Sequence, residues 1–186
     1  MWRWGCRALL HQGRIFLFSG RLTADASCFG FLVVSSGEWV RVWTLGDPRV
    51  SENDGFPPAR SHPCLLRQKN LVYLIAGVGG ENNWARRICY QEVWSLDLSS
   101  GEPYQWRMCP FSLPNAHFFN EAAITPASCL YVITPNENEE LEVYRLWLEP
   151  PSLEQMTLRV LLKSQPKLLS WRKKELHRLG ISSSLY

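Results

Sequence analysis

The sequence lacks the patterns that mark a metal site, a redox motif or a membrane-spanning helix. Its 6 cysteines stand singly, with no CxxC pair and no histidine at metal-ligand spacing, so we expect neither a metal site nor a redox motif. No apolar stretch approaches the roughly 20 residues that a membrane helix needs, and the apolar runs after Met1 are too short for a signal peptide. We therefore expect a cytoplasmic or nuclear protein with reduced, buried thiols and no membrane partner.

The motifs of catalysis are also missing. The sequence contains no GxSxG elbow and no phosphate-binding loop, and its 4 histidines stand apart from any nucleophile motif. The aspartates form no paired arrangement of the kind that acid-base chemistry requires. We therefore expect a binding protein without catalytic residues or cofactors.

The chain instead has many aromatic residues and an uneven distribution of charge. Aromatic residues make up 12% of it, which suits a fold of many short strands, so we expect the all-β class. Residues 151–186 carry seven Lys or Arg against two Glu, whereas residues 1–150 carry 13 basic against 15 acidic residues. This division predicts two parts, and the basic part either binds a partner of its own or presents a solvated helix face. Leucines interrupt the basic residues at helical spacing, so we expect no nucleic-acid partner.

A strand followed by a turn recurs three times along the chain, at residues 14–20, 71–77 and 129–133. Aligning Phe16, Tyr73 and Tyr131 gives steps of 57 and 58 residues. In the middle unit, residues 59–66 predict a first strand and residues 71–76 a wholly buried second strand that ends in three glycines. Residues 90–98 and 105–108 predict a third and a fourth strand. Four strands in each repeat predict the blade of a β-propeller.

The pattern resembles the kelch repeat, in which a strand ends in paired glycines and an aromatic residue and an outer-strand Trp follow. The residues that carry the resemblance are Tyr73, Gly79–Gly80, Tyr90 or Trp94, and Trp106. The first unit fits through Phe16, a strand over 29–34 and a turn at 35–37, and the third has Tyr131 but places Pro135 where the glycine belongs. The resemblance implies a partial kelch β-propeller of about three blades over residues 1–149.

Three blades are too few to close a propeller, which normally has about 4 to 8. We expect either a fragment or alternative product of a longer protein, or a chain that a second chain completes. The position of Met1, almost inside the first strand of its blade, favours the fragment. Either way, a sheet face with residues such as Ile15, Leu17 and Phe18 is expected to lack a neighbour.

The period of the sequence changes after Pro150–Pro151, which interrupt strand pairing. Residues 150–186 predict a tail of two short helices divided by Pro166, with Ser152 as the first N-cap. The apolar residues at helical spacing are Leu153, Met156, Val160, Leu161 and Leu168 in the first part, and Leu176, Leu179 and Ile181 in the second. The helices either pack as a structural appendage or dock a partner.

The segment Ser152–Leu161 resembles the elongin-binding box of ubiquitin-ligase substrate receptors. In that box a small residue and Leu precede a small residue and an aliphatic one, which here are Thr157 and Leu161. Leu153, Thr157 and Leu161 lie at i, i+4 and i+8, on one helix face. Thr157 departs from the usual Cys. Downstream, Pro166 to Leu169 and Leu176 to Ile181 loosely resemble the accompanying cullin-selecting element.

Four segments extend the resemblance to kelch-repeat receptors of cullin-two, elongin BC ubiquitin ligases, of which this chain would cover the C-terminal half. They are residues 89–98, 122–127, 147–153 and 175–181. The resemblance implies a substrate receptor that chooses proteins for ubiquitination through their C-terminal ends. A plain kelch scaffold without ubiquitination, or a short product that binds elongin but has lost the substrate pocket, are the alternatives.

A candidate substrate site lies in Pro57-Pro58-Ala59-Arg60-Ser61-His62. In related kelch receptors an Arg in such a motif grips a terminal carboxylate, and the resemblance implies that role for Arg60, with Ser61 and His62 beside it. His62 comes one residue early for the pattern. A guanidinium suits a carboxylate because it donates two parallel hydrogen bonds. The alternative is that Arg60 pairs with an acidic group between blades.

Overall fold

The computed structural model describes residues 7–18, 29–33, 37–80, 87–99, 101–115, 120–136, 138 and 140–167. They form mostly strands with one helix, as expected for the all-β class. The chain divides into two compact units. The first comprises Met1–Ile124 with Tyr131–Arg145, and the second comprises Thr125–Leu130 with Leu146–Tyr186.

The first sheet is an antiparallel meander in the order β1-β2-β3-β4. Its strands are β1 (Arg7–His11), β2 (Arg14–Phe18), β3 (Phe29–Val33) and β4 (Glu38–Val42). The strand predicted over 29–34 is confirmed at Phe29–Val33, whereas most of the turn predicted at 35–37 lies outside the described residues. A two-residue turn at Gln12 and Gly13, both with positive φ, joins β1 to β2, as is typical of tight hairpins.

The second sheet is larger, with five strands in the order β5-β11-β10-β7-β6. These are β5 (Thr44–Leu45), β6 (Cys64–Gln68), β7 (Leu71–Ile75), β10 (Glu92–Asp97) and β11 (Tyr104–Ser112). A 3-10 turn at Glu52–Gly55 follows β5, and a small hairpin of β8 (Val78–Gly80) and β9 (Arg87–Cys89) stands between β7 and β10. β5 pairs in parallel with β11, so this sheet has one strand more than the repeat predicts.

The strand predicted over residues 59–66 is wrong in its bounds, since β6 begins only at Cys64. His62 has a φ of 55°, in the left-handed region, and Pro63 has no amide hydrogen to donate to a ladder. The chain before β6 therefore makes only an isolated bridge, between Ser61 and Val78.

A continuous core joins the first two sheets. Phe16, Phe18 and Val42 from the first sheet cluster with residues of the second, and the Phe18 and Trp106 rings meet edge to face at 5.8 Å. Phe18 therefore has a neighbouring sheet, contrary to the expectation that it lies on an open face. The cluster residues from the second sheet and its flanks are Val72, Leu74, Trp94, Leu96, Leu98, Tyr104 and Trp106.

The opposite face of the second sheet is buried as well, because Tyr73, Ile75 and Val93 are at most 4% exposed. This confirms the prediction that the apolar run of β7 is covered on both faces. β6 contacts both β1 and β12 (Glu121–Ile124), so the edge strand of the second sheet lies next to edge strands of the first and the third. The described strands form no closed ring of sheets.

The third sheet has the order β12-β13-β14, with β13 at Cys129–Pro135 and β14 at Leu141–Trp147. In the second compact unit, the Leu148 amide donates to the Ser128 carbonyl at 2.9 Å, and the Ser128 hydroxyl donates to the Glu149 carboxylate at 3.1 Å. One helix, α1 (Leu153–Ser164), follows. The second predicted helix, with Leu176, Leu179 and Ile181, lies outside the described residues.

Cys64 and Cys129 are buried free thiols, Cys89 and Cys109 are half-buried and also free, and Cys6 and Cys28 lie outside the described residues. Burial raises the pKa of the Cys64 thiol to about 11, which keeps it protonated. Within the described ranges, no helix is long and apolar enough to cross a bilayer.

Candidate functional site

The segment that precedes β6 presents the three predicted substrate-binding residues to three different environments. Arg60 is buried, with 1% of its surface exposed, whereas Ser61 is half-buried and His62 is exposed. Two backbone hydrogen bonds between Ser61 and Val78, at 2.8 and 2.9 Å, hold the segment against β8. Of the three, His62 is the most open to solvent.

The Arg60 guanidinium is held by hydrogen bonds on each of its nitrogens. Nε donates to the Pro58 carbonyl at 3.1 Å, one terminal nitrogen donates to the Ala76 carbonyl at 2.9 Å, and the other forms an ion pair with the Glu92 carboxylate. The guanidinium carbon also lies 4.1 Å from the centre of the Tyr90 ring, in cation-π geometry. Arg60 thus pairs with an acidic group, as its alternative role requires, but Glu92 belongs to β10 of the sheet that Arg60 precedes and not to a different blade.

Two opposing effects act on the charge of Arg60. Burial lowers the pKa of its guanidinium, and the Glu92 carboxylate opposes that shift. An arginine stays protonated even when it is buried, so the site holds a cation that Glu92 neutralises. The Glu92 side chain is 25% exposed and is thus the member of the pair that solvent or a ligand reaches.

The glycines after β7 make room for these side chains. Gly77 has a φ of 95°, and a Cβ there would lie 3.2 Å from Arg60 Cδ and 3.1 Å from the Ser61 carbonyl oxygen. A Cβ on Gly79 would overlap the Tyr90 hydroxyl. Gly79 is not in the left-handed region, so here the glycine makes space for the Tyr90 ring and does not serve a turn.

Sequence reasoning missed Glu92 as the partner of Arg60. The signal that could have found it is an acid at the start of a strand whose following residues, Val93 and Trp94, are buried. A buried cation such as the Arg60 guanidinium needs an opposite charge nearby. Glu92, the first residue of β10, supplies it.

The second candidate site is α1, whose start the sequence predicted correctly. The Ser152 hydroxyl accepts from the Gln155 amide at 3.2 Å, and the Gln155 side chain accepts from the Ser152 amide at 2.9 Å, which completes a capping box. None of the 12 residues of α1 is buried. The first of them, Leu153, is 77% exposed.

The predicted docking residues of α1 differ in their exposure. Met156 and Val160 are 46% and 67% exposed and lie on the Leu153 side of the helix. Thr157 is also exposed, and its hydroxyl donates to the Leu153 carbonyl at 2.8 Å. Leu161, in contrast, is half-buried, so the face open to a partner is formed by Leu153, Met156, Thr157 and Val160.

The remaining predicted residues of the tail divide between the described and the undescribed chain. Pro166 is exposed just beyond the end of α1. Leu168 lies outside the described residues. Over the described part of the chain, no group of three or more His, Cys, Asp or Glu is placed to hold a metal ion.

Comparison with known proteins finds relatives that share the name Kelch domain-containing protein 10. No family model matches the chain. The chain is 31% identical over 183 residues to Kelch domain-containing protein 10 of Xenopus laevis. It is 28% identical over 183 residues to the proteins of that name from Homo sapiens and Rattus norvegicus.

Each of these alignments covers 95% of this chain but only 39% to 42% of the relative. The chain therefore spans about two fifths of the length of the curated relatives it matches. These shares are consistent with the predicted likeness to the C-terminal half of a longer protein.

Proposed function

The chain is a homologue of Kelch domain-containing protein 10, and from this relationship we propose that it is the substrate-recognition subunit, or a shortened form of one, of a cullin-RING ubiquitin ligase. In this proposal the three larger sheets are kelch blades, and the tail binds elongin B and C and thereby the cullin-two scaffold. The protein acts as a non-catalytic adaptor in the cytoplasm or nucleus.

The observation that carries the proposal is the exposure of Leu153 at the first residue of α1. A leucine that the fold needed for its own packing would be buried, yet 77% of this one is exposed. The capping box fixes the helix start, so Leu153 stands on an ordered turn. An ordered helix with an exposed apolar face fits a partner that receives it in a groove, as the resemblance to the elongin-binding box implies.

For the substrate, we propose that the C-terminal carboxylate of a target protein binds beside Arg60, Ser61 and His62 by replacing Glu92. The Arg60 guanidinium already holds one carboxylate, and Glu92 is exposed enough to move into solvent. The exchange keeps the buried cation paired, because one carboxylate takes the place of another. His62, at the end of this segment, is exposed to solvent.

The adaptor part is tested by calorimetry of the 186-residue chain with a purified complex of elongins B and C. Saturable one-to-one binding is expected. If no heat of binding is measured while the chain is folded by circular dichroism, the receptor assignment fails and a kelch scaffold without ubiquitination becomes the better function.

The substrate part is tested with Glu92→Gln and a pool of peptides in two forms, with free and with amidated C-termini. Removing the competing carboxylate should tighten binding of the free-carboxylate pool and leave the amidated pool unchanged. A charge-assisted hydrogen bond of about 1.5 to 3 kcal/mol sets the expected gain at about 10-fold or more. Equal affinity for the two pools would contradict carboxylate recognition and leave Arg60 as a structural residue.

A kelch scaffold that recruits a partner without ubiquitination is the second candidate function. The internal pairing of Arg60 favours it over substrate capture at that residue. Elongin binding separates the two candidates, since a scaffold has no need of it.

A further inference from the structure

A histidine is buried where the first and the second sheet meet. His11, the last residue of β1, is 4% exposed, and its ring lies 6.2 Å from that of the core residue Phe16. β1 contacts β6, the edge strand of the second sheet. The imidazole of His11 therefore belongs to the junction between the two sheets and not to the surface.

Two hydrogen bonds cross the junction between β1 and β6. At one end of β1, Arg67 Nη1 donates to His11 Nδ1 at 3.0 Å, and at the other end Arg7 Nε donates to the Pro63 carbonyl at 2.9 Å. Pro63 directly follows the segment of residues 57–62, which is the candidate substrate segment. The junction thus attaches the first sheet to the end of that segment.

The bond with Arg67 determines which nitrogen of His11 carries the proton. A guanidinium has only donors, so Nδ1 is the unprotonated nitrogen and the hydrogen lies on Nε2. Nε2 is buried and has no hydrogen-bond partner among the residues that the structure describes. The junction therefore holds a neutral imidazole, and a second proton would have to bind at Nδ1, where it faces the guanidinium.

The surroundings of His11 oppose that second proton. Burial lowers the pKa of the imidazole, and two cations, Arg67 on β6 and Arg14 on β2, lower it further. A histidine whose folded-state pKa is lowered stabilises the folded state at pH values above its unfolded pKa of about 6.5, and that stabilisation is lost as the pH falls below it. The hydrogen bond with Arg67 is lost in the same step, because a protonated Nδ1 no longer accepts.

We propose that protonation of His11 opens the junction between β1 and β6, so that the attachment of the first sheet to the candidate substrate segment responds to pH. Above about pH 6.5 the neutral ring accepts from Arg67 and contacts Phe16. Below that pH the ring becomes a buried cation beside a second cation, and separation of the strands lets water reach it. This device holds whether or not the segment binds a peptide.

The test follows amide hydrogen exchange in the full chain between pH 7.5 and 5.5, with each rate corrected for its intrinsic pH dependence. The protection of β1 and β6 should fall by up to about 10-fold, because an imidazole of ordinary pKa in the opened state is about 90% protonated at pH 5.5. β10, in the middle of the second sheet, should keep its protection.

Three variants separate the proton on His11 from other effects of acid. His11→Asn cannot titrate but keeps an acceptor near the place of Nδ1, so the protection of β1 should no longer depend on pH. His62→Asn is the matched control, since it replaces an exposed histidine at a φ of 55°, which asparagine tolerates, and it should keep the acid effect of the wild type. Arg67→Met leaves His11 in place and removes the facing cation, so it should reduce the acid effect.

A proton NMR titration measures His11 directly, with its resonance assigned by its absence from the spectrum of His11→Asn. The ring should titrate at a lower pH than histidine in an unstructured peptide, and its nitrogen shifts should show the Nε2–H tautomer. Three results would overturn the proposal: protection of β1 that does not depend on pH, a loss of protection that β10 shares equally, or an acid effect that His11→Asn retains. None of them affects the elongin or peptide tests.

Discussion

The second sheet and helix α1 use their apolar residues in opposite ways. In β7, Val72 and Leu74 are fully buried, whereas Leu153 and Val160 in α1 are 77% and 67% exposed. Both elements are apparent in the sequence, as a strand-length apolar run and as apolar residues at helical spacing. The difference teaches that spacing predicts the element, while burial depends on which neighbours the element has. Apolar residues that the fold leaves uncovered remain available to a partner.

The largest expected effect tests the buried side of this comparison. Trp106 is fully buried between Phe18 and the residues of β7 and β10, so Trp106→Ala should lower the free energy of unfolding by about 3 to 5 kcal/mol. The measurement is chemical denaturation followed by far-ultraviolet circular dichroism. Met108→Ala, two residues along the same strand and 38% exposed, is the matched control and should cost much less. Equal losses for the two variants would mean that the core between the first two sheets contributes little.

The next effect tests the exposed side. Leu153→Ala should weaken elongin B and C binding by about 2 to 4 kcal/mol, as truncation of a leucine that fills a partner's pocket does. The stability of the sheets should not change, because Leu153 is not part of their core. Binding is measured by calorimetry, and stability by denaturation of the same samples.

Glu154→Ala is the control for Leu153, since the side chain of the next residue points about 100° away around the helix. It should bind elongin B and C as the wild type does. If Leu153→Ala destabilises the protein and leaves binding unchanged, α1 is a packing helix and its resemblance to the elongin-binding box has no function here.

A smaller effect concerns Asp47, a buried carboxylate that forms a hydrogen bond with β11 of the second sheet. Asp47 is 1% exposed and accepts hydrogen bonds from the Arg49 guanidinium and from the Met108 amide of β11, the latter at 3.0 Å. Asp47→Asn should cost about 1 to 3 kcal/mol, because a buried donor loses its charged acceptor. Asp54→Asn, on an exposed turn, should be neutral.

The pH dependence of this cost follows from the hydrogen bond with Arg49, which holds the pKa of Asp47 well below its usual range. A carboxyl with a lowered folded-state pKa stabilises the protein at pH values above its unfolded pKa of about 3.9, and that stabilisation is lost as the pH falls towards the folded value. The difference in unfolding free energy between wild type and Asp47→Asn should therefore be constant from pH 7 to about 5 and shrink below about 4. A difference that grows on acidification would contradict the assignment.

The sequence predicted the elements well where a local pattern determines them. The anchor strands β2, β7 and β13 and the N-cap at Ser152 were all apparent, since apolar runs and capping residues act over a few positions. The bounds of β6 were wrong because the φ of His62 and the bonds of Arg60 depend on residues far along the chain.

The candidate sites were predictable in position but not in arrangement. The role of Arg60 in substrate binding stays a prediction, and its burial depends on Glu92 and Tyr90, which lie about 30 residues later and reach it only through sheet pairing. The elongin-like spacing predicts that Leu153 and Leu161 share a helix face. At about 100° per residue the two lie about 80° apart around the helix, Leu153 exposed and Leu161 half-buried, so their joint role in docking stays a prediction. Contacts between distant segments are the information that a local pattern does not contain.

The smallest effect tests whether α1 is ordered by its own sequence. Because no residue of α1 is buried, local bonds contribute much of its stability, and the Ser152 hydroxyl satisfies the Gln155 amide at 3.2 Å. Ser152→Ala should destabilise the helix by about 1 kcal/mol, as loss of an N-cap serine does, and should speed amide hydrogen exchange in its first turn about 5-fold. Ser164→Ala at the other end is the control, because its hydroxyl donates only to the Leu161 carbonyl and caps no amide. Exchange in β7 should be the same in all three proteins, since that strand is held by packing on both faces. If Ser152→Ala changed exchange in β7 as much as in α1, the two regions would unfold together, and the contrast between a sheet stabilised by burial and a helix stabilised by its own caps would be wrong.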